Sequence, residues 1–189
     1  MNIQEFNRRI LQYQKQLADL TRRRMPVLAG NIAKRHIEEN FRKGGFTHNG
    51  FHKWKETKRQ RNGGSSAGSQ YGPLLSGRNH LSGNIQYTPG DGQVTIFTRA
   101  PYAGIHNWGG IVRPTVTPQM RRFAWAQHYR EAGKDKKKDT FWKRLALTQK
   151  TKLTINIPQR QFMPSKPGSE LIRKVNDKLN TEVEKIINQ

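Results

Sequence analysis

The stretch from Leu74 to Gly110, LLSGRNHLSGNIQYTPGDGQVTIFTRAPYAGIHNWGG, decides how this chain is read. Ile85 and Tyr87 alternate with polar neighbours, and so do Val94, Ile96 and Thr98, the period of a strand with one buried face. Pro89-Gly90-Asp91-Gly92 supplies turn chemistry between the two runs. The spacing therefore predicts an antiparallel hairpin. Pro101 suits the first turn of a short helix that stops at Gly109-Gly110. Tyr102, Ile105 and Trp108 fall on one face of it, and plain core packing against the sheet accounts for that face.

Toward the N-terminus, Ile3, Phe6, Ile10, Tyr13, Leu17 and Leu20 recur at helical spacing, with Arg and Lys on the open face. Arg22-Arg23-Arg24 places cations at the end of this helix, where the helix dipole favours them. Pro26 either breaks the helix or opens a second one, whose stripe is Val27, Leu28, Ile32, Ile37 and Phe41 and whose stop is Gly44-Gly45. Residues 44–73 read as one long flexible loop with Phe46, Phe51 and Trp54 as isolated anchors; 61–72 is a low-complexity, mobile patch.

Toward the C-terminus, residues 111–118 carry two prolines and read as an edge strand or arm. Residues 119–126 fit a strand or a short helix equally. Residues 127–152 form a basic insertion, with Lys134, Lys136, Lys137 and Lys138 at its tip. Leu153, Ile155 and Ile157 alternate as a strand, and Pro158 closes it. Ser169 and Glu170 open a final helix with Leu171, Ile172, Val175, Leu179, Val183 and Ile186 on one stripe. The expected fold is α+β: N-terminal helices and a C-terminal helix packed on a small antiparallel sheet, with long loops. The expected division is an amphipathic helix at 1–25 and one domain at 26–189.

Charge is the largest bulk signal. The 189 residues hold 35 Lys+Arg against 13 Asp+Glu, a net charge of +22, with pI ≈ 10.9 and mean hydropathy -0.93. Such a surface favours polyanionic or acidic partners. Only 33% of residues are hydrophobic, thin core material for the length, so some segments are expected to order against partners. No apolar run approaches the roughly 18 residues of a membrane span, and the first residues, MNIQEFNRRILQYQ, lack the apolar core of a secretion signal. With no cysteine, disulfides and thiolate metal sites are excluded.

No catalytic, cofactor or metal constellation emerges. The acids are scattered, and Glu38-Glu39 point to different sides of a helix. His48 and His52 have zinc-helix spacing, but Asn49-Gly50 between them breaks the helix that spacing needs. His106-Asn107 invites comparison with HNH-type nucleases, yet the further ligands and base cannot be assembled. Basic residues interleave with Trp54, Phe123, Trp125, Tyr129, Phe141 and Trp142, a mixture that can track nucleic acid or fill subunit contacts.

With these elements placed, the chain resembles the phage virion morphogenesis, or tail-completion, family. The pieces are ENFRKGGF (39–46), FHKW (51–54), PLLSGRNHLSGNI (73–85), VTIFTRAPYAGIHNWGG (94–110) and IPQRQFMPS (157–165), in that order. Gln161 stands where the family commonly has proline, and 111–152 is longer and more basic than the pattern requires. The resemblance implies a non-enzymatic subunit of a tailed-phage or prophage particle, acting in tail completion or head–tail joining. It implies assembly in the host bacterial cytoplasm, a homo-oligomeric ring, contacts with other tail or connector proteins, non-specific DNA contact, and no membrane. Trp54, Tyr102, Ile105, His106, Trp108 and Phe162 are then structural anchors. Arg121, Arg122, Lys134, Lys136, Lys137 and Lys138 are candidates to face DNA or a partner. The rival reading is a non-specific nucleic-acid-binding protein, with a His106-dependent nuclease as its further form.

Overall fold

A computed structural model describes residues 2–61, 70–78, 80–133, 135 and 138–188. The fold is α+β. Among the described residues its strands form three separate two-stranded antiparallel ladders rather than one sheet. The chain divides into two compact units, Met1–Trp108 with Gln159–Gln189, and Gly109–Pro158.

The first unit begins with α1, Ile3–Asp19, opened by a reciprocal cap: Asn2 Oδ1 accepts from Glu5 N at 2.8 Å, and the Asn2 N–H donates back to Glu5 at 3.1 Å. A π-helical turn, Leu20–Arg24, leads without a break into α2, Met25–Lys43. Pro26 is the reason for the wide turn. It has no N–H for the Arg22 carbonyl and its ring crowds the preceding turn. The Arg22 carbonyl instead accepts from Gly92 N–H at 3.0 Å. Pro26 thus stands in the first turn of α2, as the reading of a second helix has it, and the chain passes into it through the π-turn without a gap.

α2 ends at Gly44, whose φ of 67° suits a residue without Cβ. The supposed loop then resolves into a hairpin, β1 Gly45–Thr47 and β2 Phe51–Lys53, with Phe46 opposite His52. Asn49 and Gly50 turn it with positive φ. A short helix, α3, spans Lys58–Arg61. Most of the low-complexity patch, 62–69, lies outside the described residues.

The hairpin expected at 85–98 is present as β3, Ile85–Pro89, and β4, Val94–Thr98, with Tyr87 opposite Ile96. α2 packs on it closely. Gly30 faces the Tyr87 ring so tightly that a Cβ there would collide with the ring. After the hairpin comes α4, Ala103–Trp108, and after residue 158 the chain returns to form α7, Ser169–Ile187.

Two apolar clusters hold this unit. One gathers Ile37, Phe41, Phe46, Trp54, Leu81, Ile85, Ala103 and Phe162. Phe41 sits at its centre, with ring centroids 5.4 Å from Trp54 and 5.2 Å from Phe162. The other joins Leu20 and Met25 to Ile186, with Tyr13, Leu17 and Leu179 alongside.

The second unit contains β5, Gly110–Val112, paired antiparallel with β6, Ile155–Ile157, and a further bridge at Thr115 and Lys152. Of the two readings of 111–118, edge strand or arm, the start of the segment is a paired strand. Between them lie α5, Pro118–Ala132, and α6, Phe141–Ala146. The open reading of 119–126 resolves as helix because Thr117 caps it, accepting from Met120 N–H at 3.1 Å, and Pro118 sits at the first helical position.

Candidate assembly site

Of the anchor residues, Trp54, His106 and Phe162 meet at one strap, residues 159–163. Trp54 Nε1–H donates to the Gln161 carbonyl at 2.7 Å. Asn107 is buried and binds the strap three times: its Oδ1 accepts from Phe162 N–H (2.9 Å) and Met163 N–H (2.8 Å), and its Nδ2 donates to the Met163 carbonyl (3.0 Å). Arg160 N–H donates to the His106 carbonyl at 2.8 Å, while its guanidinium donates to the carbonyls of Lys55 and Glu56. Phe162 is fully buried in the core beneath. These bonds give the strap's backbone the partners a strand would otherwise provide.

The short helix α4 presents a different face from the expected one. Ala103 and Asn107 are its buried residues. Tyr102 and Trp108 are 41% and 57% exposed, so they do not pin it to the sheet; Ile105 is half-buried. A face of one alanine and one asparagine lets the helix approach the core closely and spend its polar side chain on the strap. Sequence reasoning missed Asn107 and the role of Arg160. The signal available was their place inside the quoted HNW and PQRQF pieces, beside residues already chosen.

At the other side of the strap, the β1–β2 turn and α7 cap one another. Asn49 and Gly50 N–H donate to the Glu170 carboxylate at 2.9 and 2.5 Å, and Ser169 N–H donates to Asn49 Oδ1 at 3.0 Å. Backbone donors hold the Glu170 carboxyl down at about 2. Glu182, further along α7, receives Arg24, Lys178 and Lys185 at 2.5, 2.9 and 2.8 Å. The hydrogen bonds from Lys185 and Lys178 lead in lowering it to about 2.

Among the described residues, two surfaces expose large apolar side chains. Along α1 the apolar stripe runs from Ile3, 79% exposed, through Phe6 at 50% and Ile10 at 39%, to Leu20 at 0%. Its second half packs against α7; in the first half no residue is buried and Ile3, Phe6 and Ile10 stay exposed. In the second unit the small residues are inside and the large ones outside. Ala124, Ala132 and Ala146 are buried with His128 and Thr140, which share a hydrogen bond of 2.9 Å. Phe123, Tyr129, Phe141 and Leu147 are exposed, and Trp142 bridges Phe123 and Phe141 edge-on.

The basic candidates separate. Arg121 Nη1 donates to the carbonyls of Ala146 and Thr148 at 2.8 and 2.6 Å, so its head group closes the end of α6 rather than reaching outward. Arg122 is exposed. Lys138 Nζ donates to the Glu131 carbonyl at 3.3 Å. Lys134, Lys136 and Lys137 lie outside the described residues. Among the described residues no group of three or more metal-ligating side chains converges, and no helix is long and apolar enough to cross a membrane. Compared with known proteins, the chain matches no family model, no curated protein and no solved structure.

Proposed function

We propose that this chain is a structural assembly subunit of a tailed-phage particle, acting in tail completion or head–tail joining, with no active site of its own. The observation that carries the reading is the uncovered first half of α1, an apolar stripe continuous with buried core at Leu20. A stripe of this kind is the surface a neighbouring subunit covers on assembly. The order of sequence pieces that resemble the family supplies the setting, and +22 suits a wall beside DNA. Copies of the chain and other tail or connector proteins are the partners, and the particle is the place of action.

The test is genetic and visual. Particles made without this chain should accumulate as unjoined heads and incomplete tails in electron micrographs, and the wild-type chain supplied in trans should restore them. Normal infectious particles made in its absence would remove the proposal.

The second unit favours a second reading, non-specific nucleic-acid binding, because exposed Phe123 and Phe141 stand among Arg122, Lys143 and Arg144. Salt titration against duplex DNA separates the two: tight binding by the isolated chain with a steep salt slope supports this reading over the first.

A further inference from the structure

A cavity of about 330 Å³ in the first unit is lined by Arg160, His106, His80 and Tyr102 together with Leu74 and Leu81. Arg160 is 7% exposed, and the partners of its guanidinium are neutral: the carbonyls of Lys55 at 2.9 Å and Glu56 at 3.3 Å. All 13 acidic residues of the sequence fall among the described residues, and none forms an ion pair with Arg160. A guanidinium held out of water by carbonyls alone is an uncompensated positive charge in the wall of the cavity. Burial accordingly pushes it below its ordinary value.

His106 adds a second polar group to the lining. Its Nδ1 is buried with no hydrogen-bond partner among the described residues. A proton on Nδ1 would have no acceptor among the described residues, which disfavours that tautomer and leaves Nε2 as the ring's candidate donor. Burial first, and the Arg160 charge second, hold the imidazole neutral. The Tyr102 ring lies edge-on to it at 6.0 Å, and His80 stands exposed at the rim.

We propose that this cavity receives a carboxylate presented by a partner protein, as an Asp or Glu side chain or as the partner's terminal carboxylate, paired with Arg160 and His106. A guanidinium and an adjacent N–H match the two oxygens of a carboxylate. The leucines suit the aliphatic stem that carries it. A duplex phosphate rides on a broad rod that a recess of this size does not admit, whereas a flexible acidic side chain enters it. The inference goes beyond the virion reading, since it requires only an acidic partner.

The experiment follows the His106 imidazole and Arg160 Nε–H resonances of the full-length protein by NMR. The titrants are sodium acetate, a hexaglutamate peptide, inorganic phosphate, a short DNA duplex and sodium chloride, at matched ionic strength. Acetate and hexaglutamate should shift both resonances saturably, and His106→Leu should weaken that binding by about tenfold or more. His80→Ala, a rim change that leaves the core alone, should weaken hexaglutamate by a smaller factor; it decides the matter if His106→Leu fails to fold. Shifts no larger than those from chloride would overturn the proposal. So would phosphate or duplex acting at lower concentration than acetate and hexaglutamate.

Discussion

At the scale of single residues, Asn107 carries more of the first unit than its size suggests. Asn107→Ala leaves the N–H groups of Phe162 and Met163 without an acceptor, one of them buried. The expected loss is roughly 2–4 kcal/mol by denaturant titration. Gly30 is the second such position. Gly30→Ala should cost about 1–3 kcal/mol because the Tyr87 ring must move, and Tyr87→Leu in the same protein should recover part of the loss. Glu170 gives a pH signature. Its carboxyl is lowered from 4.5 to about 2 in the folded state, so its stabilising effect is complete above pH 4.5 and fades as pH falls toward 2. Melting temperature against pH should fall through that window, and Glu170→Gln should reduce the fall, leaving the share that Glu182 carries over the same range. Beyond the place of Asn107 in the HNW piece, the sequence does not show these contacts: the segments these residues meet lie 55 to 120 positions away.

At the scale of elements, periodicity located what local physics controls. The 85–98 hairpin, the strand near 155 and the long C-terminal helix follow from alternation, turn residues and an apolar stripe. The pattern could not separate a stripe buried by its own chain from one awaiting cover, and α1 is both in succession. Phe6→Asp with Ile10→Asp should therefore leave the melting temperature within about 4 °C of wild type, since two exposed substitutions at about 0.5 kcal/mol each sum to about 1 kcal/mol. The same pair should abolish rescue of particle assembly. The hairpin at 45–53 was hidden because its strands are three residues each, too short for alternation to register. The helix at 118–132 was obscured because its interior contact is made by alanines and a histidine, which leave no hydrophobic stripe to read.

At the scale of the whole molecule, 35 cations against 13 acids repel one another across every surface. Raising sodium chloride from about 0.01 M to 1 M shortens the screening length from roughly 30 Å to 3 Å. Thermal melts should consequently rise with salt, against the direction expected of a protein held together by surface ion pairs. The wide helical turn at Leu20–Arg24 has a mechanical consequence. It is fastened on one side to the β3–β4 turn, through the Arg22 carbonyl and Gly92, and on the other to α7, through Arg24 and Glu182. Clamped at that point, α1 is a boom rather than a tether: whatever grips its free tip is held at a fixed bearing, and any pull on it is delivered straight to the hairpin.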